Sequence, residues 1–113
     1  MINELKENQI FVFGSNRAGF HGGGAASFAY RNFGAEWGVG IGRTGQTYAI
    51  PTMNGDELFK EIAAEFIEYA EQHPELEFLL TPVGTGIAGY DFDFINKLFK
   101  DLPTNVIKVG DWR

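Results

Sequence analysis

Ile10-Phe11-Val12-Phe13-Gly14-Ser15-Asn16-Arg17-Ala18-Gly19-Phe20-His21-Gly22-Gly23-Gly24-Ala25-Ala26 is the stretch that decides the fold class. Four consecutive apolar residues ending at Gly14 read as a buried strand covered on both faces. Ala25, Ala26, Phe28, Ala29 and Phe33 then recur at helical spacing, which predicts a helix over 22–33 with Gly34 as its stop. A buried strand passing through a glycine loop into a helix is the opening of an α/β unit.

The rest of the chain repeats this order. The segment 36–45 is dense in glycine and reads as a loop with at most a short extended piece, and Thr47-Tyr48-Ala49-Ile50 is a second strand closed by Pro51. Over 56–72, Leu58, Phe59, Ile62, Ala63, Phe66, Ile67 and Ala70 form one apolar stripe, opposite Glu57, Lys60, Glu61, Glu65 and Glu68. Asp56 and Glu57 suit the positive end of that helix, and His73-Pro74 ends it. Phe78-Leu79-Leu80-Thr81 is a third strand, 92–101 a last helix capped by Asp91, and Val106-Ile107-Lys108-Val109 a fourth strand. The expected fold is a three-layer α/β/α domain spanning 1–113, with a mainly parallel, mixed sheet of four to six strands.

Composition narrows the function. The 113 residues suit one domain, and 44% hydrophobic residues argue against disorder. A net charge of −6 without a Lys/Arg cluster argues against extended nucleic acid as a partner. It leaves phosphate ligands open, because backbone N–H groups hold anions without cationic side chains. There is no cysteine, so thiolate metal sites and thiol nucleophiles are excluded, and no metal cluster or cofactor motif is readable. No apolar run reaches the length of a membrane helix and no apolar leader follows Met1, so a cytoplasmic protein is expected.

Ten of the 15 glycines fall between Gly14 and Gly45, and three more between Gly84 and Gly89. Both clusters follow strands, where open α/β sheets bind ligands. In the first, Gly14, Ser15, Asn16, Gly22, Gly23, Gly24 and Ala25 are expected to contact a phosphate-bearing ligand. In the second, Val83, Gly84, Thr85, Gly86, Ile87, Ala88, Gly89 and Tyr90 are expected to cradle another phosphate. A sharp strand-to-helix turn is the plain alternative for each loop. Neither loop is a GxxxxGK[ST] phosphate loop, and no G-x-G-x-x-G follows the first strand.

Three polar residues are candidates for chemistry. Asn16 could orient a ribose or water, while His21, expected to be exposed in its glycine loop, and Asp91 could act as acid or base. The ordinary roles are a turn cap for Asn16, an inert loop residue for His21 and a helix cap for Asp91. Trp37 and Tyr90 could stack on a base or pack in the core, and Arg43, Gln46 and Asn54 could line a rim or simply be solvated.

On these residues the chain resembles a macrodomain, the ADP-ribose-binding fold. In that family a strand of the I-V-N-A-A-N kind is followed four residues later by a glycine run. Here Phe11-Val12-Phe13-Gly14-Ser15-Asn16 precedes His21-Gly22-Gly23-Gly24 at the same spacing. Pro82-Val83-Gly84-Thr85-Gly86-Ile87-Ala88-Gly89-Tyr90 is similar to the family's second phosphate loop, and Thr47-Tyr48-Ala49-Ile50-Pro51-Thr52 to an intervening strand. The likeness runs from about Ile10 to Val109, and is greatest to a short branch found in bacteria and phages. It implies a diphosphate on Gly84 to Ile87 and a distal ribose near Asn16 and Gly22 to Gly24. Hydrolytic members place an Asp two residues after the glycine run, where this chain has Ala26. Another hydrolytic branch uses a Lys and an Asp after the second loop's G-x-G-x, where Ala88 stands here. The family's adenine-contacting Asp has no counterpart in Met1 to Asn8.

The leading expectation is a module that binds ADP-ribose or a related nucleotide, with hydrolysis of an ADP-ribosyl or phosphate linkage as a possible activity. Alternatives are a protein that sequesters a signalling nucleotide, a Rossmann-like nucleoside-monophosphate enzyme using Arg17 or Arg31 with Glu36, and an interaction domain with vestigial loops.

Overall fold

The computed structural model describes residues 4–113. The chain runs β1 (Gln9–Ser15), α1 (Gly24–Asn32), β2 (Gly42–Thr44), β3 (Thr47–Pro51), α2 (Asp56–Gln72), β4 (Glu77–Leu80), α3 (Phe92–Leu98) and β5 (Val106–Lys108). The five strands form one mixed sheet in the order β2-β3-β1-β4-β5. β1 pairs in parallel with both β3 and β4, β4 pairs in parallel with β5, and only β2 is antiparallel.

The period-2 geometry of the strands divides the apolar residues between two layers. Ile10 and Val12 of β1, Tyr48 and Ile50 of β3, Phe78 and Leu80 of β4, and Val106 of β5 pack against α2 and α3. Phe11 and Phe13, with Ala49, face the opposite way onto Ala26 and Ala29 of α1 and Phe33 after it. This second layer is smaller. α1 covers β1 and β3, while Ile107 on the outer strand β5 stays 41% exposed.

Two of the expected helices shift at their ends, and the expected strands move by a residue or two. α1 starts at Gly24 rather than Gly22, because Gly23 is fully extended (φ −151°, ψ 164°). α3 stops at Leu98 rather than near Asp101; Asp101 has φ 56°, and Pro103 disfavours helical backbone at Leu102. The short extended piece within 36–45 is β2, which has only three residues. The end of α2 is tied by one side chain: Asn105 Nδ2 donates to the carbonyls of Ala70, His73 and Leu76 at 2.9, 3.1 and 3.0 Å. Among the described residues no helix is long and apolar enough to cross a membrane.

Candidate functional site

The connection after β1 rises to α1 on one face of the sheet, while the connection after the adjacent strand β4 leads to α3 on the other face. Neighbouring parallel strands whose connections part in this way leave a crevice beyond their carboxyl ends. A cleft of about 410 Å³ occupies this place. Its lining includes Gly14, Ser15 and Asn16 after β1, Gly23 to Ala26 at the start of α1, Thr52 and Met53 after β3, and Pro82, Gly84 and Gly86 after β4. The two glycine clusters therefore meet at one rim.

The cleft's backbone is short of partners. Among the described residues, the N–H groups from Gly22 to Ala26 meet no acceptor, and the α1 N-cap Gly23 has no side-chain cap. The N–H groups of Gly84, Gly86, Ile87 and Ala88 likewise meet none, whereas those of Val83, Thr85, Gly89 and Tyr90 are bonded within the loop. Nothing stands within 4 Å of where a Cβ would lie on Gly22, Gly23, Gly24 or Gly86. Gly84 is the opposite case: it has φ 87°, and a Cβ there would come within 3.0 Å of Phe59 and Tyr90 ring carbons. Its lack of a side chain lets the loop fold down onto the core. None of the lining residues carries a charge.

Several predicted site residues line this cleft: Gly14, Ser15, Asn16, Gly23, Gly24, Ala25, Val83, Gly84, Gly86, Ile87 and Ala88. Asn16 spends its amide locally, with Oδ1 accepting from Phe20 N and Nδ2 donating to Phe20 O, both at 2.9 Å. The Ser15 hydroxyl turns away and donates to the Gly40 carbonyl. Gly22, Thr85, Gly89, Tyr90, Asp91 and His21 lie outside the lining. Thr85 Oγ1 donates to Pro82 O at 2.8 Å, and Tyr90 Oη donates to Asp56 Oδ1 at 2.7 Å while its ring stacks on Phe94. Asp91 is the α3 cap, accepting from Phe94 N at 2.8 Å.

The expected exposure of His21 is overturned: the residue is 1% exposed. Phe13, Tyr30 and Trp37 surround its ring, and Nε2 lies 2.8 Å from Glu36 O and 3.1 Å from Val39 O. Two carbonyl acceptors require the proton on Nε2, which leaves the buried Nδ1 without a partner among the described residues. His21 staples the 36–39 segment behind the first loop. Arg43 and Gln46 are also not at the rim. They sit at the opposite end of the sheet, where Gln46 Nε2 donates to Lys6 O and Gln9 O. Arg43 Nη1 there donates to Tyr69 Oη. Asn54 is near the cleft but structural, its Oδ1 accepting from Arg17 N at 2.8 Å. Arg17, Arg31 and Glu36 are absent from the cleft lining, and among the described residues the one ion pair joins Arg113 to Asp111.

Lining residues not among the expected contacts are Phe20, Ala26, Thr52, Met53, Thr81 and Pro82. Thr52 and Met53 follow β3, so the rule that ligands meet strand ends would have included them once β3 was known to adjoin β1. A second hollow, about 710 Å³, continues from the cleft through Gly24, Ala25 and Thr81. Phe11, Phe28, Arg31, Val109 and Gly110 complete it, over the part of the sheet that α1 leaves bare. No protein family, curated protein or solved structure matches the chain.

Proposed function

We propose that this chain is a macrodomain-like module that binds ADP-ribose or a closely related nucleotide. The observation that carries the reading is the pair of N–H sets without acceptors, Gly23 to Ala26 and then Gly84, Gly86, Ile87 and Ala88, lining one uncharged cleft at the point where the strand connections diverge. Clustered amides of this kind bind phosphate without cationic side chains. The diphosphate rests on Gly84 to Ile87, the distal ribose lies towards Asn16 and Gly23, and the base takes the apolar hollow between Phe28 and Val109, where Arg31 is the only cation in the lining.

The surroundings favour binding over hydrolysis. Among the cleft's lining residues there is no carboxylate, imidazole or amine to act as acid or base. Asp91 is engaged as a cap, and His21 is sealed behind the first loop. The module then holds a nucleotide, consistent with a sequestering role.

A thermal-shift panel of ADP-ribose, AMP and inorganic phosphate tests this. Ligand at ~100 times its dissociation constant should add about 2.7 kcal/mol to stability. ADP-ribose should shift the transition most and remain intact on prolonged incubation. Absence of any shift up to millimolar ligand defeats the proposal, and cleavage of ADP-ribosyl conjugates would restore the hydrolase reading.

A further inference from the structure

Resting on that nucleotide reading, we propose that the ligand is a dinucleotide, with a second planar group beyond its distal ribose stacked on Phe20. Phe20 lines the cleft yet leaves 62% of itself exposed. A large aromatic ring in that state loses apolar burial unless something covers it.

The ring is also held in place. Asn16 clamps both backbone polar groups of Phe20, using its entire amide. Trp37 stacks on the Phe20 ring with centroids 6.0 Å apart and planes 27° from parallel, and is itself 51% exposed. Behind Trp37 stand Tyr30 and the buried His21 ring, both meeting it edge-on at 5.5 and 6.1 Å. His21 in turn fixes the 36–39 backbone that carries Trp37. An exposed ring fixed from behind is a stacking platform, since it meets a planar ligand with little further loss of side-chain freedom.

The position of the platform sets the ligand's length. The apolar hollow of Phe28 and Val109 opens from the α1 and β4 side of the cleft, through Gly24, Ala25 and Thr81. Phe20 enters the lining from the Asn16 turn, and it takes no part in the hollow. The order is therefore apolar hollow, uncharged amide-lined middle, aromatic platform. A mononucleotide fills the first two. A diphosphate flanked by two nucleosides, each ending in a planar ring, fills all three.

Calorimetric titration with ADP-ribose, oxidised nicotinamide adenine dinucleotide and diadenosine diphosphate tests the assignment. The first two probes share a diphosphate, both riboses and adenine, and differ in the terminal ring. The third supplies a neutral ring, which removes any cation–π contribution. Both dinucleotides should bind about tenfold tighter than ADP-ribose. Phe20→Ala should erase that difference, so that the dinucleotides bind the variant no tighter than ADP-ribose does, and Phe20→Tyr should retain it. Trp37 emission should respond to the dinucleotides and not to ADP-ribose.

If ADP-ribose binds and the dinucleotides bind no better, or if Phe20→Ala weakens all three alike, the dinucleotide assignment falls and the nucleotide reading stands. If Phe20→Ala changes no affinity at all, the platform serves something other than this ligand, a protein surface included, and the assignment is again wrong. If none of the three binds, both readings fail.

Discussion

Gly14 and Gly84 meet backbone to backbone: a Cβ on Gly14 would lie 3.6 Å from the Gly84 nitrogen and 3.4 Å from Thr52 Oγ1. The ends of β1, β3 and β4 thus converge within van der Waals distance, and the two glycine loops form one surface. Changes in either loop should be felt at the same bound anion.

The second loop offers a matched pair of substitutions. Gly84→Ala places a methyl at φ 87° and 3.0 Å from two aromatic rings, so it should lower stability by about 1–3 kcal/mol in denaturant melts. Gly86→Ala meets nothing within 4 Å, and stability should change by no more than about 0.5 kcal/mol. Because Gly86 lines the cleft, its methyl should obstruct the anion and weaken ADP-ribose binding about tenfold or more. Unchanged affinity for Gly86→Ala would place the phosphate elsewhere.

Asn105 holds three carbonyls around the end of α2 with one NH₂ group. Asn105→Ala should cost about 1–3 kcal/mol of stability, because Leu76 O loses its donor while Ala70 O and His73 O keep only the backbone N–H groups of His73 and Leu76. Asn105→Asp should be at least as damaging, since a carboxylate brings lone pairs towards the same oxygens. Urea unfolding of both variants, with ligand affinity measured on the folded protein, reads the effect. Affinity should be preserved, as Asn105 lies outside the cleft lining.

His21→Ala removes a buried ring and leaves Glu36 O and Val39 O without their Nε2 donor. The loss should be about 2–4 kcal/mol in stability. Any decrease in ligand affinity should track loss of the folded protein. Proton–nitrogen correlation spectra of the imidazole should show the proton on Nε2.

Alkaline unfolding should carry a tyrosine signature. Burial pushes the Tyr48 phenol up from 10.0 to about 12, with the Glu65 carboxylate reinforcing the effect. The hydrogen bond to Asp56 also raises the Tyr90 phenol. A phenol raised in the folded state holds its proton there after the unfolded chain has released it. The associated stability is therefore fully present below pH ~10 and declines as pH rises from there towards 12. Tyr48→Phe should flatten the decline in melts taken between those limits, and an unchanged slope would refute the assignment.

Much of the sheet was legible because its signals are local. The run Ile10 to Phe13 and the stripe from Leu58 to Ala70 each state their burial within a few residues, and β1 and α2 follow. The two loops were legible for the same reason. β2 was barely so, because three half-exposed residues carry no periodicity. His21 was misjudged because its burial comes from rings on three separate segments, at Phe13, Tyr30 and Trp37, which no local spacing encodes. Of the two roles open to Arg43 and Gln46, the rim is ruled out because the direction of β3 sends their hairpin to the far end of the sheet. The hollow between Phe28 and Val109 depends on strand order and on where α1 ceases to cover the sheet. Both are properties of the assembled fold.

The central place of β1 has a kinetic consequence. Its amides are hydrogen-bonded between two parallel neighbours, with apolar layers above and below, so the strand should open to solvent only when the whole molecule unfolds. The floor of the cleft is the carboxyl end of that strand, while the turn residues Gly22 to Gly24 and Gly86 above it are exposed and have N–H groups without acceptors. In hydrogen exchange the two should separate sharply: turn amides replaced almost at once and then slowed by nucleotide, against a strand whose protection reports global stability. Partial unfolding at the periphery would leave the floor of the cleft standing.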